Sequence, residues 1–201
     1  MNARERFLSL GDRDVAGRWL RDLEARYSEP HRHYHTLAHI EHMLELLPHA
    51  DETVVAAVWF HDAIYDGPRN EERSAELATR ALRELGFAPQ KIELVERMIL
   101  ATKRHERGDL PQEALAFLDA DLSILGTDRE RYDEYVRQVR KEYAHVPDDA
   151  FRTGRNAILR TFLERPRLYF TDEFFERFEA SARANLYREV SLPVGASASP
   201  V

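Results

Sequence analysis

The chain has 201 residues, a formal net charge of −7 and 43% apolar residues, which fits one domain with a real core. It has no cysteine, so disulfides and thiolate metal sites are excluded. No stretch approaches the ~20 apolar residues of a membrane helix, Met1-Asn2-Ala3-Arg4-Glu5-Arg6 is no apolar signal region, and the acidic balance disfavours a nucleic-acid backbone as main partner. The expectation is a soluble cytoplasmic protein.

Apolar residues recur at helical spacing, and no segment alternates like a strand between hairpin turns. The expected fold is all-α, a single-domain helical bundle of about eight or nine helices over residues 1–190. The first helix covers 12–26, with Val15, Trp19, Leu20 and Leu23 on one stripe. Pro30 breaks the chain before a His-rich segment, and a second helix covers 36–47, stopping before Pro48. The third covers 53–65 and ends at Gly67-Pro68. Asn70 is a candidate N-cap for a fourth, reaching Leu85 and stopped by Gly86. Pro89 opens a fifth to Lys103. The rest cover 112–125, 128–143, 148–163 and 172–189. Residues 191–201 are small and polar, and read as a disordered tail.

The third helix carries the anomaly. Its apolar run Thr53 to Phe60 closes on His61-Asp62. At ~100° per residue, Val54, Val58, His61 and Asp62 share one sector. Two polar groups on a buried face need compensation, either as a hydrogen-bonded pair or through a metal ion. His35 and His39 are four apart and share a face if both are helical; His39 lies beside Met43 and Leu46. His31 and His33 read as solvated loop residues. In 112–125 an apolar stripe of Ala114, Phe117, Leu118, Ile124 and Leu125 centres on Asp121, with Asp119 at its edge. Asp121 is thus the carboxylate expected to be buried, paired either with an arginine or with the ion of His61 and Asp62.

Four further groups have more than one reading. Lys103 and His105 are phosphate binders, or cations favoured by a helix C-terminus, and His105 is, with His35, a candidate general acid for expelling a leaving alkoxide or phosphate. Arg73 orients a phosphate, or pairs with Glu72 or Glu76. Asp66 holds a water or a ligand histidine, or is a turn residue before Gly67. A homodimer could form through the Arg-rich last helix or the aromatics Tyr169, Phe170, Phe174, Phe175 and Phe178, which an ordinary core explains equally well.

The order His39, His61-Asp62, Asp121 on helices resembles the HD superfamily of metal-dependent phosphohydrolases. These four residues match its metal ligands, and Met43 fits the apolar position four after the first. Tyr34-His35-Thr36-Leu37-Ala38-His39 is similar to the Tyr-His-Asn-x-x-His motif of the cyclic-nucleotide phosphodiesterase branch, with Thr36 in place of Asn. Ala120-Asp121-Leu122-Ser123 is similar to that branch's Ala-Asp-Leu-Ser. Asp66 matches the last residue of His-Asp-x-x-Glu-Asp in the guanosine-tetraphosphate hydrolase branch, where Tyr65 replaces Glu. The chain looks most like a bacterial group of predicted HD phosphohydrolases, over about residues 15–188. Asn70 to Ala75 and Leu118 to Gly126 are the resembling segments.

The resemblance implies an HD-like helical fold and one divalent transition metal ion (Mn, Fe, Co, Ni or Zn, with Mg admissible). The implied activity cleaves a phosphate ester or phosphoanhydride of a nucleotide or other small phosphorylated molecule with a metal-activated water. His35 would protonate the leaving group and Asp66 would assist. Lys103, His105 and Arg73 are the candidate substrate binders. The competing expectation is a non-catalytic nucleotide-binding or signalling module with a structural metal.

Overall fold

A computed structural model describes residues 1–191. The expected tail lies outside the described residues, apart from Ser191. The described residues form α-helices and short 3₁₀ segments without a strand, as expected of an all-α bundle. They pack as two compact units that divide between Asp121 and Leu122. Among the described residues no helix is long and apolar enough to cross a membrane.

The first unit contains α1 (Ala3–Leu8), α2 (Arg13–Tyr27), α3 (Leu37–Leu46), α4 (Glu52–Phe60), α5 (Asn70–Glu84), α6 (Pro89–Thr102) and α7 (Leu115–Asp121). Helix α1 was not expected from the sequence, although its signal is local. The Asn2 side chain accepts from the Glu5 N–H, and Glu5 reaches back to the Asn2 N–H. Asp12 caps α2, whose buried face is Ala16, Leu20, Leu23 and Tyr27.

Helix α4 is the axis of this unit. Every residue from Thr53 to Phe60 is buried, and α1, α3, α5, α6 and α7 all pack on it. A helix that is apolar all round belongs inside. The sequence sector around Val54 and Val58 is therefore only part of its buried surface. Pro89 does open α6, and Gly86, at φ 81°, does end α5. Asn70 is not the cap of α5. Arg69 takes that place in a left-handed conformation, and the Asn70 side chain instead accepts from the Gly67 N–H.

The second unit contains α8 (Arg129–Glu142), α9 (Asp148–Leu163) and α10 (Asp172–Val190), preceded by a 3₁₀ segment, Leu122–Gly126. That segment lies tight against α10. A Cβ at Gly126 would sit 2.6 Å from Phe178 Cβ and 2.7 Å from its carbonyl oxygen. Asn185 donates to the Leu125 and Thr127 carbonyls, and the Tyr169 hydroxyl donates to the Leu122 carbonyl. Tyr169, Phe174 and Phe178 form the core here, so three of the aromatics weighed as a dimer surface face inward.

Gly126→Ala is expected to destabilise the protein by roughly 1–3 kcal/mol, because backbone and Phe178 must both move. A lowered urea midpoint at unchanged m-value would show it, and an unchanged midpoint would refute the close approach.

Candidate metal centre

Three segments of the first unit bring the predicted ligands together. Helix α3 starts at Leu37, so His39 lies in its first turn, 5% exposed. His35 precedes the Thr36 cap and is not helical, so the condition under which His35 and His39 would share a helix face is not met.

The second segment also departs from expectation. Helix α4 ends at Phe60, not at 65. His61 is its C-cap, with its N–H bonded to the Ala57 carbonyl at 2.9 Å. The chain beyond that end is held by Arg32, whose side chain is fully buried. Its Nη1 donates to the Asp62 carbonyl at 2.7 Å and the His35 carbonyl at 3.2 Å, and its Nη2 donates to the Ala63 carbonyl at 3.1 Å. Nε pairs with Glu29 at 3.0 Å. The Ile64 N–H is taken by Ser74 Oγ at 3.0 Å. With these groups satisfied by side chains, the chain can leave the helix without orphaned polar atoms. Sequence reasoning gave Arg32 no role. Its partners lie up to 31 residues away, and no periodicity reports such a contact.

The side chains converge. His39 Nε2, His61 Nε2 and an Asp121 oxygen belong to a cluster whose ligand atoms all lie within 4.8 Å of one another. His39 Nε2 is 3.1 Å from Asp121 Oδ1 and 3.3 Å from His61 Nε2. His61 Nε2 is 3.6 Å from Asp121 Oδ1. Asp62, the fourth expected ligand, is not one of these three residues; it borders them through His61, its Oδ2 lying 3.1 Å from His61 Nε2. Ligand atoms about 2.1 Å from one ion stand about 3.0 Å apart at right angles and about 3.4 Å apart tetrahedrally. The observed separations fall around those values. His61 Nδ1 donates to the Val58 carbonyl at 2.9 Å, which leaves Nε2 as the atom aimed at the cluster, the usual arrangement behind a ligating histidine. Among the described residues His39 Nδ1 is buried without a hydrogen-bond partner, and its ring is held by packing on Tyr34 and His61. The donor set and its spacing fit a divalent ion.

The electrostatics agree. Burial alone would lower the His61 pKa, but Asp62 and Asp121 outweigh it and hold the imidazole well above its usual value. Burial lowers His39, and Asp121 recovers only part of the shift. Burial would raise both carboxyls, yet the neighbouring histidines, His61 first, hold Asp62 and Asp121 below the usual carboxylate range. Two largely enclosed carboxylates here call for positive charge between them.

The burial ranking of the two aspartates is the reverse of that expected. Asp119 is 1% exposed, whereas the Asp121 side chain is 13% exposed. Asp121 nevertheless is the one that meets the histidines. His35 stacks on Tyr65, ring centroids 4.1 Å apart, with its Nε2 4.0 Å from Asp62 Oδ2. His105 Nε2 lies 2.8 Å from Asp121 Oδ2. The other three candidates stand in ion pairs. Lys103 pairs with Glu72 at 2.5 Å. Arg73 pairs with the exposed Asp66, not with Glu72 or Glu76.

Arg32→Ala removes the donor that reaches the carbonyls of His35, Asp62 and Ala63 and is expected to cost roughly 2–5 kcal/mol of stability. Arg32→Lys, which keeps charge but loses the fork, should cost less. Equal stability of wild type and Arg32→Ala in urea titration would refute the role given to Arg32. In comparisons with family models, curated proteins and solved structures, none matches this chain.

Proposed function

We propose that the chain is a metal-dependent phosphohydrolase of the HD type, with His39, His61, Asp62 and Asp121 holding one divalent transition metal ion. The observation that carries this reading is the convergence of two imidazole Nε2 atoms and Asp121 Oδ1 at separations close to those around a single ion; Asp62 Oδ2 lies beside them, against His61 Nε2. A bound ion would act as a Lewis acid, lowering the pKa of water and neutralising charge on a phosphoryl oxygen.

The chain's own residues supply the rest. His61 is oriented by its Nδ1 bond to Val58. Asp62 and His35 are fixed relative to each other, because Arg32 holds both their carbonyls. Stacked on Tyr65 and 18% exposed, His35 can present a proton at Nε2 to a leaving oxygen. The substrate class is a nucleotide or another small phosphorylated molecule.

One observation favours a second reading, a nucleotide-binding or signalling module with a structural ion. Lys103 and Arg73, the cations expected to meet phosphate, are both held by carboxylates. In the enzyme reading those pairs open on binding, or phosphate is met by other groups.

The protein is expected to take up about one Mn²⁺, Co²⁺ or Zn²⁺ per chain. Asp62→Ala and Asp121→Ala should lose the ion, and Asp119→Ala should keep it. A panel of mononucleotides, dinucleotides and triphosphates with Mn²⁺ should release phosphate or pyrophosphate. His35→Ala should retain metal and slow turnover by about 10²–10⁴-fold. Absence of metal uptake would end the proposal; uptake without turnover on any substrate would favour the binding module.

A further inference from the structure

His105 follows α6 with a left-handed backbone, φ 48°, a conformation that L-residues adopt at a steric cost. Its side chain is 18% exposed and reaches Asp121, Nε2 to Oδ2 at 2.8 Å. The other Asp121 oxygen, Oδ1, is the one near His39 Nε2 and His61 Nε2, at 3.1 Å and 3.6 Å. The two oxygens of one carboxylate are thus divided between two tasks.

That division matters for coordination. A carboxylate can give an ion one oxygen or two. A catalytic ion needs a position left open for water or substrate. An Asp121 turned to offer both oxygens would consume such a position. Since an ionised carboxylate only accepts, His105 must donate from Nε2–H, and that bond keeps Oδ2 engaged.

We infer that His105 is a positioning residue that reserves Asp121 Oδ2, so that Asp121 presents Oδ1 alone to the ion and a coordination position stays open for the phosphate compound. This rests on the metal-centre reading above. It gives His105 a task distinct from phosphate binding or proton transfer. It also supplies a reason for the unfavourable backbone at 105, since strain of this kind persists where surrounding contacts enforce it.

The test uses the full chain loaded with Co²⁺, whose visible absorption weakens as its coordination number rises. His105→Ala removes the donor. His105→Gln restores an N–H near the reach of Nε2 but cannot transfer a proton at neutral pH. His105→Gly accepts the left-handed backbone without strain, and gives the same comparison if the alanine variant folds poorly. The Ala and Gly variants should bind one Co²⁺ with weakened absorption. Their kcat should fall about 10- to 100-fold, with KM little changed. His105→Gln should keep the wild-type spectrum and most of the kcat. The inference is overturned if Ala and Gly leave the spectrum unchanged, or if Gln is as slow as Ala with a wild-type spectrum, which would make His105 a proton-transfer or substrate group. Wild type that takes up no Co²⁺ overturns the metal reading and this one together. If wild type binds Co²⁺ yet hydrolyses nothing, the metal assignment survives and the spectral comparison alone decides the role of His105.

Discussion

Helix α4 ends inside the protein, where its last carbonyls are taken by His61 Nδ1 at Val58, the Tyr27 hydroxyl at Trp59 and the Ala63 N–H at Phe60. A buried guanidinium, that of Arg32, holds the chain that follows by donating to the carbonyls of Asp62 and Ala63. Much else depends on that one side chain. It lets the chain leave the helix at His61, so that the His61 ring and the Asp62 carboxylate meet although the residues are adjacent. It also holds the His35 carbonyl, tying the segment before α3 to the segment after α4. The protein uses the same device at the end of α3, where Arg6 donates to the carbonyls of Leu44 and Ala50. A planar fork with several donors suits scattered carbonyls better than a single ammonium.

The polar centre is set against the most apolar element of the first unit. Low polarity around α4 makes every unpaired charge costly and every matched one strong. That is why two carboxylates, three imidazoles within 3.6 Å of them and one backbone carbonyl form a connected set. Removing positive charge from this set exposes Asp62 and Asp121 to each other's repulsion. The geometry is thus dictated by electrostatic balance as much as by packing.

The sequence was informative where local rules apply. Residue type and order singled out His39, His61, Asp62 and Asp121 before any contact was visible, and Pro89, Gly86 and Asp128 marked helix ends that are real. It misled where a local rule was carried past its range. The stripe used to rank Asp119 and Asp121 ran from Ala114 to Leu125 at 100° per residue. Ala114 belongs to one 3₁₀ segment and Ile124 and Leu125 to another, so the stripe's centre was misplaced and Asp119 is the more buried. Helix α4 was extended to 65 because nothing in Asp62-Ala63-Ile64 opposes a helix; the arginine that holds this stretch in its non-helical course is 30 positions away. The chemistry of the site was legible from residue types, and its support was not, because support comes from contacts distant in sequence.

His39 and Asp121 touch at 3.1 Å while standing 82 residues apart in the chain. Asp121 is also the last residue of the first unit. The centre is therefore a closure point that joins the early part of this unit to its final residue. Any cation gripped there works as a reversible cross-link. It binds the folded chain and has no comparable site in the unfolded one, so it shifts the folding equilibrium by mass action. Loop closure over so long a span is entropically expensive, and the ligands become complete only when the whole first unit has assembled. Metal content would then report on the integrity of that unit from α3 to α7.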